Sequence, residues 1–81
     1  MLTPLRQATA RIVGVKQVLR ALEEDKARTV FVALDADPFL TKRGMDGCYA
    51  RNILCLEVPT AKEIGAACGI DVAAAAAAVL R

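Results

Sequence analysis

Two short apolar segments, each followed closely by a helix-start signal, limit what this chain of 81 residues can fold into. Residues 29–34 are β-branched, aromatic and continuously apolar, as expected of a strand covered on both faces. Asp37 and the proline after it then predict a helix start. The second segment, residues 53–56, precedes a capping box made by Thr60 and Glu63. This alternation predicts an α/β fold, a three-layer α/β/α sandwich with a small mixed sheet, in one domain spanning residues 1–81.

Helices are also predicted at both ends of the chain. Thr3, followed by proline, starts the first helix, whose Leu5 and Ala8 are expected to face inward. Near the other end, Asp71 is expected to cap a closing helix through the alanine run of residues 73–78. The small alanine side chains would let that helix pack closely on the sheet.

Glycines mark two further helices. Gly14 follows a brief extended piece at residues 12–13, and the apolar stripe after it has helical spacing, which predicts a second helix ending near Asp25. Gly44 and Gly47 interrupt the third helix. Since a glycine costs up to about 1 kcal/mol in a helix interior, the second half of that helix is expected to be frayed or irregular.

Composition excludes several classes of protein. Hydrophobic residues make up 56% and charged residues 25%, which is too apolar for disorder and too charged throughout for a membrane span. Histidine is absent, which removes the usual general base and the commonest metal ligand. Cys48, Cys55 and Cys68 form no C-x-x-C pair, and no export leader is recognisable. We therefore expect a cytoplasmic protein with no catalytic residues, metal or cofactor.

Two weaker chemical interpretations remain beside these exclusions. Asp35 and Asp37 could together hold magnesium, but no third acid is near, and a strand-end turn with a helix cap is favoured. Cys68 stands just before the predicted closing helix, whose N-terminus would lower the pKa of its thiol. Burial of Cys68 in the core is favoured over this reactive state.

The charge distribution points to a polyanionic partner. The net charge is only +2, yet residues 1–28 carry six basic residues against three acidic ones. Lys16, Gln17 and Arg20 fall within one arc of about 100° on the second helix, which begins at Gly14. The start of this helix therefore offers backbone amides, a positive helix end, a side-chain amide and two cations. Such groups can bind phosphate oxygens and the edges of purine bases. An ordinary solvated helix face is the alternative.

Three stretches of the sequence carry a family likeness: residues 14–22 (GVKQVLRAL), 32–38 (VALDADP) and 62–72 (KEIGAACGIDV). In order and separation they resemble the kink-turn RNA-binding ribosomal-protein family, often called the L-seven-Ae/L-thirty-e group, and most of all its short bacterial members. The likeness covers nearly the whole chain. It implies a compact α/β/α domain that recognises kink-turns, which are helix–bulge–helix RNA elements with tandem sheared G·A pairs beside the bulge.

The resemblance also implies roles for individual residues. Lys16 and Gln17 would meet the base edges of the G·A pairs, Arg20 would hold a phosphate, and Gly14 would bring its amide to the RNA backbone. Asp37 would contact the base flipped out of the bulge while it caps its helix.

A third segment, made of Ile70, Asp71 and Val72, matches the family's variable loop, which packs against extruded bulge nucleotides. Core packing and helix capping are an equally weighted alternative for this segment. The expected partner is thus a kink-turn RNA, ribosomal RNA among the candidates, with neither a membrane nor a small-molecule substrate.

Departures from the family pattern keep a second function open. Glu24 and Asp25 stand where relatives often carry basic residues, Ala61 replaces a basic residue, and Val15 replaces a frequent threonine. These changes predict weaker RNA binding. Glu24, Asp25 and Ala61 favour, as the alternative, a non-catalytic protein–protein scaffold of the same fold with weak or lost RNA affinity.

Overall fold

The computed structural model describes residues 2–7 and 10–81, in which four helices alternate with four strands. Ala8, predicted to face inward, lies outside the described residues. The helices are α1 (Thr3–Gln7), α2 (Val15–Glu23), α3 (Pro38–Ala50) and α4 (Ala61–Ala67). The strands are β1 (Arg11–Val13), β2 (Ala27–Ala33), β3 (Leu54–Val58) and β4 (Ala76–Leu80).

The four strands form one mixed sheet in the order β1-β4-β2-β3. β4 runs antiparallel to both of its neighbours, whereas β2 and β3 are parallel. Because β1 and β2 both oppose β4, the strands β1, β2 and β3 all end at the same edge of the molecule. The helices that follow them, α2, α3 and α4, therefore all begin there.

Helices cover both faces of this sheet, and the predicted sandwich is confirmed. On one face, Leu22 of α2 and Cys48 of α3 pack in a core with Val30 of β2. On the other face, Ile64 of α4 packs with Phe31 of β2. Successive residues of a strand point to opposite faces, so a central strand covered on both sides must be continuously apolar.

The second half of the alanine run belongs to a strand and the first half to the loop before it, so the predicted closing helix is wrong. Ala76–Leu80 lies between β1 and β2, and Asp71 lies exposed in the loop before it. Ala77 packs in the core on the α4 side, while Ala76 and Ala78 pack in the core on the α2 side. The small side chains let both helix layers approach the sheet, and pairing with two strands outweighs the helix propensity of alanine.

Helix α3 is continuous over Pro38–Ala50, so the predicted irregularity at its glycines is also wrong. Both glycines are packed rather than strained. A Cβ placed on Gly44 would lie 3.5 Å from Cγ1 of Val32, and one placed on Gly47 would lie 3.1 Å from Cδ1 of Leu22. The helix therefore keeps close contact with the sheet and with α2, and this packing offsets the low helix propensity of glycine.

Replacing Gly44 by alanine is expected to raise the free energy of unfolding by about 0.5–1 kcal/mol, because alanine restricts the unfolded chain and favours helix. The new methyl group would meet Val32 at an ordinary van der Waals distance. Gly47→Ala should gain less or lose stability, since Leu22 would have to move by a few tenths of an ångström. Urea unfolding of both variants measures the difference, and a destabilised Gly44→Ala variant would contradict it.

Two of the predicted helix caps, those of α3 and α4, are confirmed by direct hydrogen bonds. The carboxylate of Asp37 accepts from the backbone N–H of Phe39 at 2.8 Å. The hydroxyl of Thr60 accepts from the N–H of Glu63, and Oε2 of Glu63 accepts from the N–H of Thr60, both at 3.2 Å. Within the described ranges, no helix has the length and apolar character needed to cross a bilayer.

Candidate nucleic-acid interface

The segments that carry the predicted site residues meet at one end of the sheet. The N–H of Gly14, just before α2, donates to the carbonyl of Ala76 at 2.8 Å. The N–H of Ala33, at the end of β2, donates to the carbonyl of Ala75 at 2.9 Å. The start of α2, the β2–α3 loop and the loop leading into β4 therefore lie side by side.

Gly14 gives the start of α2 a shape that another residue would not allow. Its φ of 110° lies in the left-handed region that favours glycine. The side chain of Gln17 also lies over it, so that a Cβ at position 14 would run into Oε1 of Gln17. Glycine thus permits both the backbone turn and the close approach of the amide group.

The predicted cationic face of α2 is open to solvent. Lys16, Gln17 and Arg20 are exposed, whereas Val18 and Leu22 on the opposite side of the helix are buried. In the described part of the chain, no ion pair or hydrogen bond occupies these three side chains, and no side chain caps the helix N-terminus. First-turn N–H groups, the positive helix end and two cations are together available to an anion.

The two aspartates after β2 are already engaged with backbone amides. Oδ1 of Asp37 caps α3, and Oδ1 of Asp35 accepts from the N–H of Ala61 at 2.8 Å, which ties this loop to the start of α4. Among residues 2–7 and 10–81, no group of three or more potential metal ligands is assembled. The turn and the helix cap therefore account for this pair, and magnesium is not needed to explain it.

Large apolar side chains are exposed at the same end of the sheet. Leu34, predicted to lie within a strand, follows the end of β2 and is 55% exposed, and Phe39 at the start of α3 is 68% exposed. In the loop before β4, Ile70 is 36% and Val72 66% exposed, so core packing of that loop is wrong. Leu34 and Phe39 flank the Asp-Ala-Asp-Pro turn, and this position next to a turn was the available signal.

The loop of residues 70–72 is seated against α4 by a glycine. The N–H of Ile70 donates to the carbonyl of Gly65 at 3.1 Å, and the N–H of Ala74 donates to the carbonyl of Ala61 at 3.0 Å. A Cβ on Gly65 would run into the carbonyl oxygen of Val72. Because glycine has no side chain, the loop backbone can lie directly on the helix, and this contact positions the exposed Ile70 and Val72.

The acidic residues that favoured a loss of RNA affinity are paired within the chain. Glu24 forms an ion pair with Lys26 at 3.2 Å, and Asp25 forms one with Arg81 at 3.4 Å. Both pairs are exposed and add little to stability. They do, however, place a cation beside each carboxylate at the end of α2, which weakens the repulsion that these acids would exert on a phosphate.

The cysteines offer no exposed nucleophile. Cys48 and Cys68 are buried, and burial raises the pKa of Cys68. The favoured burial of Cys68 is confirmed, and the reactive alternative is excluded because no helix begins after Cys68. A hydrogen bond with Cys55 lowers the pKa of Cys48, and the same bond raises the pKa of Cys55. A thiol withdrawn from solvent is ordinarily inert.

Comparison with known proteins finds similar sequences over nearly the whole chain. The model of the ribosomal protein L7Ae/L30e/S12e/Gadd45 family matches residues 3–81. An RNA-binding protein of Geobacillus sp. (strain WCH70) is 44% identical over 75 residues, covering 93% of this chain and 92% of the relative. The RNA-binding protein YbxF of Geobacillus stearothermophilus is 40% identical over 75 residues, with the same coverage of both chains.

A solved structure agrees with the fold. The 15.5kD RNA binding protein of Giardia lamblia superposes with a TM-score of 0.88, covering 99% of this chain and 70% of the other, at 22% sequence identity. At that identity the likeness bears on the fold alone, which is the same mixed sheet between helix layers. Taken with the family match and the closely related sequences, it leads to one assignment: this chain belongs to the ribosomal protein L7Ae/L30e/S12e/Gadd45 family.

Proposed function

We propose that this protein binds RNA without catalysis and recognises kink-turns. The observation that carries the proposal is the exposed, unpaired set of Lys16, Gln17 and Arg20 on an uncapped helix start. The names of the similar proteins from Geobacillus, which describe them as RNA-binding, support it. A cytoplasmic location and ribosomal RNA as one target are part of the same proposal.

In this mechanism, phosphate contacts position the RNA and base contacts specify it. Arg20 and the first-turn amides beside Gly14 hold backbone phosphates. Lys16 and Gln17 face the edges of the sheared G·A pairs, where a cation and an amide can donate to purine acceptors. Since the protein contacts the kinked RNA better than the straight one, binding shifts the RNA population toward the kink.

Two other segments, the β2–α3 loop with Asp37 and the loop of residues 70–72, would hold the RNA bases that are not stacked in the helices. The carboxylate oxygen of Asp37 that does not cap α3 accepts from the exocyclic amine of a flipped base. The apolar side chains of Ile70 and Val72, with Asp71 between them, pack against extruded bulge nucleotides. Unstacked bases are commonly recognised by such combinations of hydrogen bonding and packing.

A protein–protein scaffold is the second candidate function. The exposed apolar residues at this end of the sheet would suit a protein partner. So would Ala61, which stands where many relatives carry a basic residue. The ion pairs of Glu24 and Asp25 weaken the case for a scaffold, because each of these carboxylates, which follow the end of α2, has a cation beside it.

A fluorescence-anisotropy titration separates the two candidates. One labelled RNA carries a kink-turn, and its control has the same length with the bulge removed and the G·A pairs replaced by Watson–Crick pairs. We expect tighter binding to the kink-turn and an affinity that falls steeply between about 50 and 200 mM salt, since phosphate contacts release counterions. Absent or equal binding to the two RNAs would favour the scaffold.

A further inference from the structure

A groove of about 490 Å³ separates α2 from α3 on the surface beside the candidate interface. Three partly buried apolar residues line it: Val15, Leu19 and Leu40. Four charged residues complete the lining: Lys16, Arg20 and Glu23 from α2, and Arg43 from α3. The groove is thus an apolar channel between cations, and two of those cations belong to the proposed RNA-binding face.

Arg43 is the one cation of this groove that α3 contributes, and its surroundings leave it available. Its neighbour Lys42 forms an i,i+4 ion pair with Asp46 at 3.1 Å. Position 47, one turn further along the helix, is a glycine and offers Arg43 no side-chain partner. Within the described ranges, no ion pair or hydrogen bond engages the guanidinium, which is exposed.

The chemistry of the groove fits a nucleic-acid backbone. A guanidinium matches the geometry of a phosphate through two parallel hydrogen bonds, and apolar side chains such as Leu40 suit the carbon face of a ribose. Glu23 is the single carboxylate of the lining, opposed by three cations, so the groove keeps a net positive charge. An anionic chain is favoured over a neutral or cationic partner.

We propose that the α2–α3 groove holds a backbone segment of the bound RNA and that Arg43 contacts one of its phosphates. This inference rests on the proposed function and extends the RNA surface from α2 to α3. The contact positions the RNA rather than reading its sequence, because a phosphate carries no base identity. Arg43 also places a cation near the acidic end of α2, where Glu23 lacks an ion pair within the described residues.

The first test compares Arg43→Gln with Lys42→Gln in kink-turn titrations at several salt concentrations. Both variants lower the net charge from +2 by one unit on adjacent exposed positions of the same helix, so they are matched for long-range electrostatics. Arg43→Gln should weaken binding about three- to tenfold and reduce the slope of log affinity against log salt by about 0.7–0.9, as loss of one phosphate contact requires. Lys42→Gln should leave both nearly unchanged.

The second test locates the phosphate. Single phosphates of the kink-turn are replaced in turn by neutral methylphosphonates, and each RNA is titrated with the wild-type protein and with Arg43→Gln. At the contacted position the replacement should weaken the wild-type complex about three- to tenfold and leave the Arg43→Gln complex almost unaffected. At other contacted positions it should weaken both complexes equally.

The outcomes separate this inference from the proposed function. If the wild-type protein prefers the kink-turn but the two glutamine variants behave alike, the groove holds no RNA while the proposed function stands. If every methylphosphonate has the same effect on both proteins, the same conclusion follows. If the wild-type protein has no preference for the kink-turn, both proposals are wrong.

Discussion

Replacing Lys16 and Gln17 together by alanine is expected to abolish the preference of the protein for a kink-turn over a straight duplex. Each good side-chain contact to a base edge discriminates by about 1–3 kcal/mol, so loss of both contacts should lower affinity for the kink-turn about 30-fold or more. Affinity for the duplex should change far less, because Arg20 and the helix start remain to hold phosphates. Fluorescence-anisotropy titrations with both RNAs at one salt concentration measure the ratio of the affinity for the kink-turn to the affinity for the duplex.

Arg20→Ala is the matched control for that double variant. It removes an exposed cation from the same helix face, one turn away, without touching the residues assigned to the bases. We expect it to weaken the kink-turn and duplex complexes by similar factors, since phosphate contacts are blind to sequence. If the Lys16 and Gln17 variant likewise lost equal affinity for both RNAs, these two residues would not read the base pairs.

Replacing Gly65 by alanine is expected to give the largest loss of stability among the site variants. Its Cβ would overlap the carbonyl oxygen of Val72, so either the loop must lift from α4 or the helix must shift. Overpacking of this kind costs about 2–3 kcal/mol. For a chain of this size the midpoint of thermal unfolding should fall by roughly 10 °C or more. RNA affinity should also fall, because Ile70 and Val72 would move with the loop.

Gly44→Ala serves as the control for this variant, because it is also a glycine-to-alanine change inside a packed helix. There the new methyl group has room, and stability should rise. Calorimetry should therefore show a higher midpoint of thermal unfolding for Gly44→Ala and a lower one for Gly65→Ala than for the wild-type protein. A Gly65→Ala variant as stable as the wild-type protein, with unchanged RNA affinity, would show that the loop does not depend on this close contact.

Most of the fold could be predicted from local signals in the sequence. The caps at Asp37 and Thr60 and the apolar segment of β2 are each readable in a few residues, because capping chemistry and strand burial are local requirements. β4 could not be predicted in this way. Six consecutive alanines favour a helix locally, and only pairing with the two neighbouring strands makes the last three of them part of a strand.

The candidate site was predictable where one helix carries it and not where several elements meet. Lys16, Gln17 and Arg20 follow from helical periodicity, because they share one face. The seat of the 70–72 loop on Gly65 and the position of Arg43 across a groove from α2 depend on how separate helices pack. No spacing within the sequence carries that information.

The position of β4 also governs when the protein can become functional during synthesis. Until residues 76–80 leave the ribosome, β1 has no strand beside it, and β2 is joined only to β3. Pairings between residues so distant along the polypeptide form slowly. The start of α2 follows β1 and is held by the carbonyl of Ala76, so a nascent chain in which β4 has not yet paired would lack the contact that fixes this helix start.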